Sequence, residues 1–152
     1  MNPNAISCYL LKTFDDLRVI DSWGETSFFY NPNNLSPRGT YFCTIKEKDG
    51  QNDKASSLDR QGVFRLNFGI SKPTFLELFE VIPKRPSKGG VIEGPYDFTS
   101  LNQLTPHPVY GWMCWVSICN PSEKSFSQIA HLISESYQIV KQKHKNKKIP
   151  LK

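Results

Sequence analysis

This 152-residue sequence lacks most of the signatures that announce a chemistry. It has no P-loop, no Gly-x-Gly-x-x-Gly, no His-Glu-x-x-His and no Gly-x-Ser-x-Gly. Nothing therefore points to a phosphate cradle, a dinucleotide fold, a zinc protease or a nucleophile elbow. No apolar run approaches the roughly 20 residues that span a bilayer. The opening Met-Asn-Pro-Asn-Ala-Ile has neither a charged n-region nor an apolar h-region, so the expected setting is cytoplasmic, without a signal peptide. Cysteine is sparse. Cys8, Cys43, Cys114 and Cys119 form no Cys-x-x-Cys pair, and each lies among apolar residues. Buried free thiols are expected, with no metal site, no disulfide framework and no cofactor.

Basic character is also missing from most of the chain, despite a formal net charge of +5. The last twelve residues, Lys141 to Lys152, hold six lysines and no acid; without them 13 basic residues face 14 acidic ones, a net of −1. The positive charge belongs to the end of the chain and not to the body, which argues against nucleic acid as a partner. The length fits one domain. Its expected limits are residues 1–146, followed by a flexible basic tail over 147–152.

What is present is a well-punctuated α+β pattern. Asn2-Pro3 reads as a helix start, and Ile6, Tyr9, Leu10 and Phe14 follow at helical spacing, with an end near Thr13 to Asp16. Leu17 to Ile20, Ser27 to Tyr30 and Thr40 to Lys46 read as strands, with a Pro/Asn-rich loop from Asn31 to Gly39. Gln51 to Gly62 is polar and aperiodic, hence an exposed loop. Val63 to Gly69 alternates, sending Phe64, Leu66 and Phe68 one way and Arg65 and Asn67 the other. Ser71 caps a short helix with Phe75, Leu76, Leu78 and Phe79 inward. Pro83 to Pro108 carries five prolines and three glycines. It is expected to lie across a helix-free sheet face, anchored by Tyr96, Phe98, Leu101 and Leu104. Trp112 to Cys119 reads as a strand apolar on both faces and therefore interior to the sheet. Asn120, Pro121 and Glu123 resemble a capping box before a helix with the stripe Phe126, Ile129, Ala130, Ile133, Tyr137 and Val140. The expectation is a single antiparallel sheet of about five strands, with an N-terminal, a short central and a long C-terminal helix on one face.

Gly39-Thr40-Tyr41-Phe42, Ser57-Leu58-Asp59-Arg60, Gly62 to Asn67, His107 to Trp112 and Asn120-Pro121-Ser122 are similar to the pattern of a bacterial family of unknown function. The element order and the closing Glu135-Ser136-Tyr137-Gln138-Ile139-Val140 resemble, more distantly, the MmcQ/YjbR-like proteins. That second resemblance implies a secretion-chaperone-like α+β fold. Neither implies an activity or catalytic residues.

Seven residues stand out as ligand-binding candidates. His107, at a loop–strand junction, reads as a general base or ligand contact, or as a loop histidine bonded to backbone. Arg65 and Asn67 read as an anion site, or as one side of an ion pair with Asp59 or another acid. Asp59 and Arg60 could join them, or form a solvated turn. Tyr110 and Trp112 could line a pocket, or belong to the core. The favoured function is a small binding module without catalysis, monomeric or weakly dimeric. It would hold a small anionic ligand or a protein segment between the Arg65 face and the Pro/Gly-rich loop. The alternatives are a cofactor-independent hydrolase or transferase using His107 with Asp59 or Arg65, and a nucleic-acid-binding protein.

Overall fold

The computed structural model describes residues 1–34 and 37–148. Asn2 caps α1 (Pro3–Thr13): its Oδ1 accepts from the Ala5 amide at 2.8 Å, and proline stands in the first turn, where no amide partner is needed. Ile6 and Leu10 point inward. Cys8 lies two residues from Ile6, so the helical turn carries it to the exposed side. The expectation of four buried thiols is corrected to three.

Strands β1 (Leu17–Ser22) and β2 (Glu25–Tyr30) form a hairpin through Trp23-Gly24, both with positive φ. This is the twist-matching turn that normally takes asparagine and glycine. Next come β3 (Thr40–Lys46), β4 (Arg65–Gly69) and α2 (Lys72–Phe79), capped by the Ser71 hydroxyl. Then follow β5 (Leu104–Pro106), β6 (Trp115–Cys119) and α3 (Glu123–Lys148). The six strands make one antiparallel sheet in the order β1-β2-β3-β4-β6-β5. The fold is α+β, as expected. The additional strand is β5, whose prolines hide it; an edge position tolerates them because one side of the strand needs no ladder bond.

One face of the sheet builds the core. Phe28, Cys43, Ile45, Leu66, Phe68, Val116 and Ile118 meet Ile6, Leu10 and Phe14 from the α1 end, Phe75 of α2, and Phe126, Ile129, Ile133, Tyr137 and Val140 of α3. A bulge opposite Phe28/Phe29 inserts an extra residue in β3, and Phe42 turns its ring toward Phe14 and Tyr137.

Several local expectations change. The strand expected over Trp112 to Cys119 starts at Trp115, because Gly111–Met113 forms a 3₁₀ turn and Cys114 is left-handed at φ 66°. Ser122, not Asn120, caps α3, its Oγ accepting from Ser125 N at 3.0 Å. Asn120 instead bonds Phe64 N and Gly62 O, tying the end of β6 to the approach to β4. In α2 only Phe75 is buried, while Leu76 and Leu78 are exposed. Gln51 to Gly62 is not simply an exposed loop, since Ser56 and Leu58 are buried within it. In the long connection Leu101 is half exposed and Ile92 takes the anchoring role, its amide bonding Pro108 O. α3 runs on through Lys148, and residues 149–152 of the expected tail lie outside the described residues, as do 35–36 of the Asn31 to Gly39 loop. Among the described residues no helix is long and apolar enough to cross a membrane.

Candidate functional site

Among the described residues the three α-helices all pack on the core face, and none covers the other face of the sheet. Pairing register carries a polar row across five strands: Ser27 beside Thr44, Thr44 beside Asn67, Asn67 beside Ser117, and Ser117 beside Thr105. A second row sets Glu25, Lys46, Arg65 and Cys119 side by side. These positions alternate with the apolar core positions of the same strands, so the two faces follow directly from the period of two.

Arg65 is the centre of this face and is only 1% exposed. Its Nε donates to Asn67 Oδ1 at 2.7 Å. Nη1 donates to Asp53 Oδ1 and to Ser56 Oγ, both at 3.0 Å, and Nη2 donates to Asp53 Oδ2. The remaining Nη2 direction faces His107 Nε2 at 3.3 Å. Four of the five N–H directions of the guanidinium therefore have oxygen acceptors, and the fifth faces the His107 ring. Asn67 is fully engaged: Oδ1 also accepts from Ser117 Oγ at 2.7 Å, and Nδ2 donates to Thr44 Oγ1 at 3.0 Å and to Arg65 O. Burial alone would raise the Asp53 carboxyl, but the hydrogen bonds and charge of Arg65 hold it below its usual value.

His107 sits where the β5 edge turns toward the 3₁₀ segment. Its Nδ1 accepts the amides of Val109 and Tyr110, each at 3.0 Å. A neutral imidazole has one in-plane lone pair, so these bonds place the ring hydrogen on Nε2, facing the guanidinium. Protonation would give the ring no acceptor at all against three N–H donors. Burial, reinforced by the Arg65 charge, accordingly holds the His107 pKa well below 6.5, and the ring is neutral at pH 7.

The structure thus brings Arg65, Asn67 and His107 together and adds Asp53 and Ser56, which sequence reading passed over. The available signal was the buried arginine itself: a carboxylate had to come from somewhere, and the preceding loop offers Asp49, Asp53 and Asp59. Asp59 does not join the cluster. It is exposed and accepts the Asp49 amide at 3.0 Å, while Asp49 Oδ1 accepts from Leu58 N at 2.8 Å. Arg60 fastens loops, donating to Ser57 O, Ser56 O and Thr99 O. Trp112 lies on the 3₁₀ turn with Arg85 above its ring, 4.8 Å from the centroid. Tyr110 stands beside His107, with 5.0 Å between ring centroids.

Loops cover the Arg65 end of this face: Phe98 O contacts Cys119 Sγ, and Thr99 O meets Arg60. The other end opens into a cavity of about 410 Å³. Tyr41, Trp115, Tyr110 and Phe29 supply aromatic wall, Ser27 and Thr44 come from the polar row, and His107 joins the cavity to the buried cluster. Trp115 is positioned by a missing side chain. A Cβ on Gly69, its neighbour across β4 and β6, would sit 2.8 Å from the indole Nε1, so only glycine lets the ring lie over the strand. Tyr41 then meets Trp115 at 5.3 Å between centroids. Arg38 and Glu25 are the charged lining residues. Gly39 (φ 90°) turns the chain so tightly that a Cβ would meet Tyr30 O, which delivers Arg38 to this cavity. Arg18 donates to Pro37 O and anchors the same loop. Among the described residues the Arg38 side chain has neither an ion pair nor a hydrogen bond, and no three His, Cys, Asp or Glu side chains cluster as a metal would require.

Comparison with known proteins adds a family to this geometry. A family model described as a family of unknown function, DUF6194, matches residues 1–149. The chain belongs to that family. The resemblance to a family of unknown function is thereby established as membership of one, over nearly the whole length of the chain. No curated protein and no solved structure matches it.

Proposed function

We propose that this family member is a small binding module without intrinsic catalysis, and that its ligand is a small, flat, anionic molecule. The observation that carries this reading is the 410 Å³ cavity, which combines aromatic walls, hydroxyls from the polar row and an unengaged guanidinium at Arg38. Its volume lies within the range of small-molecule sites. Tyr41, Trp115 and Tyr110 offer ring faces to a planar group, and Arg38 offers a fork to a carboxylate or phosphate oxygen pair. Glu25 asks for a donor on the same ligand. The buried Arg65 cluster supports the site from behind, since its fork is already filled by Asp53. A cytoplasmic setting, a monomer or weak dimer, and the more distant kinship with MmcQ/YjbR proteins belong to the same proposal.

The rival reading, a hydrolase or transferase working through His107, has less support. Nδ1 is spent on two amides and Nε2 faces a cation, so the ring has no nitrogen ready to take a proton. Asp59 stands with the Asp49 backbone and not with His107. Nucleic acid is disfavoured by the −1 balance of the chain before Lys141.

A thermal-shift screen of a metabolite library tests the proposal, since a ligand that prefers the native state raises Tm. Hits should quench the Trp115 fluorescence. Arg38→Gln and Tyr110→Ala should each weaken binding by about tenfold or more while leaving Tm of the free protein nearly unchanged. A hit whose affinity ignores both substitutions would overturn this site. Turnover of a hit that vanishes in His107→Asn would favour the enzyme instead.

A further inference from the structure

We propose that the turn Lys84–Gly90, together with Trp112 and Tyr110, is a second binding site, one that takes the phosphate of a small phosphomonoester. Three cations, Lys84, Arg85 and Lys88, fall within seven residues that contain no acid. Without these three, the chain before Lys141 holds 10 basic and 14 acidic residues, a net of −4, so this is a local concentration of positive charge. Arg85 and Lys88 line a cavity of about 320 Å³ with Asn52, Ser87, Tyr110 and Trp112, and no carboxylate borders it. Glu93 borders a separate hollow on the other side of Arg85 and is not ion-paired with it.

The Arg85 guanidinium lies over the Trp112 ring, 4.8 Å from its centroid. Stacking of this kind fixes the plane of the fork and leaves its N–H edge free, which is the geometry that grips two oxygens of one phosphate. The backbone adds to this. Gly90 N closes a turn onto Ser87 O at 2.9 Å, and Gly89 takes the crown of the turn at φ 81°. Among the described residues the amides of Lys88 and Gly89, in that crown, donate to no protein acceptor. A fork, an ammonium, a hydroxyl and two amides therefore belong to one short segment, without a counter-charge. That set suits a dianionic monoester better than a monoanionic carboxylate. The rings of Trp112 and Tyr110 in the same cavity suit the organic part of the ester. This site does not depend on the 410 Å³ cavity, although Tyr110 borders both.

The test is a ³¹P NMR titration of the intact protein with phenyl phosphate and with inorganic phosphate, at constant ionic strength set by chloride. Saturable line broadening is expected for both, with phenyl phosphate the tighter binder. Arg85→Gln should weaken phenyl phosphate by about tenfold or more. Arg85→Lys should weaken it too, because the charge stays but the fork is lost. Lys88→Gln should have a smaller effect in the same direction. The titration is repeated in an Arg38→Gln background, where Arg85→Gln should still weaken phenyl phosphate by about tenfold, which separates this site from the cavity of the proposed function. Arg38, Arg85 and Lys88 are all exposed, and circular dichroism with Tm confirms that each variant is folded. Broadening that chloride removes as well as phosphate does, or that survives Arg85→Gln in the Arg38→Gln background, would overturn the proposal. Equal affinity for the two phosphates would overturn the monoester assignment.

Discussion

In β4, Leu66 and Phe68 point toward the helices while Arg65 and Asn67 point away, and all four are buried. The two faces of this one strand are held by different physics. On the helix side, apolar surface is removed from water without directional demands, and neighbours from α1, α2 and α3 fill the space. On the other side the strand's two polar side chains are held by directional bonds to named partners: Asp53 and Ser56 for Arg65, and Thr44 and Ser117 for Asn67. The first face tolerates substitution by shape. The second tolerates almost none, because removing one partner strands another in a site that water does not reach.

The sharpest way to break this comparison is at the ion pair. Asp53→Ala should destabilise the protein by roughly 3–5 kcal/mol in urea denaturation, by leaving the Arg65 charge buried and unpaired. The double replacement Asp53→Leu with Arg65→Met should recover much of that loss, since an apolar pair has no charge to strand. A single variant as stable as the wild type would mean that the guanidinium finds other compensation, and the contrast between the faces would fail.

Adjacent residues provide the next test. Leu66→Ala should cost about 2–5 kcal/mol, but the volume-conserving Leu66→Met less than about 1.5. Arg65→Lys keeps the charge but cannot reproduce five fixed N–H directions, so the nominally conservative change should cost more than Leu66→Met. Chemical denaturation of the three variants ranks them. Equal costs for Arg65→Lys and Leu66→Met would erase the distinction.

The gentlest probe is pH. The folded His107 pKa lies below 6.5, so the unfolded chain binds the extra proton first. The stability that His107 contributes is thus present above pH 6.5 and is lost as pH falls toward the folded value, at up to about 1.4 kcal/mol per pH unit. Asp53, also depressed, adds its own loss only below pH 3.8. His107→Gln should flatten the slope just below pH 6.5 and leave the lower limb intact. Substitutions among the apolar residues should shift the whole curve and keep its shape.

Local pattern carried much of the fold. The α1 cap, the limits of β3 and most of the α3 stripe are written in local sequence, and the structure places them there, with Leu132 taking a core place that the stripe had given to Ala130. β5 was not legible, because three residues ending in proline carry no strand signal until an edge position excuses the missing donor. The burial of Ser56 and Leu58 was not legible either, since their loop is folded inward by Asp49, Asp59 and the Arg65 fork, not by any periodicity of its own.

The candidate site divides in the same way. Alternation in the sequence by itself determined that Arg65 and Asn67 share one face and Leu66 and Phe68 the other, because the period of a strand admits no other arrangement. Only the tertiary structure decided that Asp53 would fill the fork and that His107 would face it. It also decided that Tyr41, Trp115, Tyr110 and Arg38 would meet around one cavity. Those meetings depend on strand order and on register between segments far apart in the chain. Register is fixed by the summed packing of both faces, a quantity that no short stretch of sequence contains.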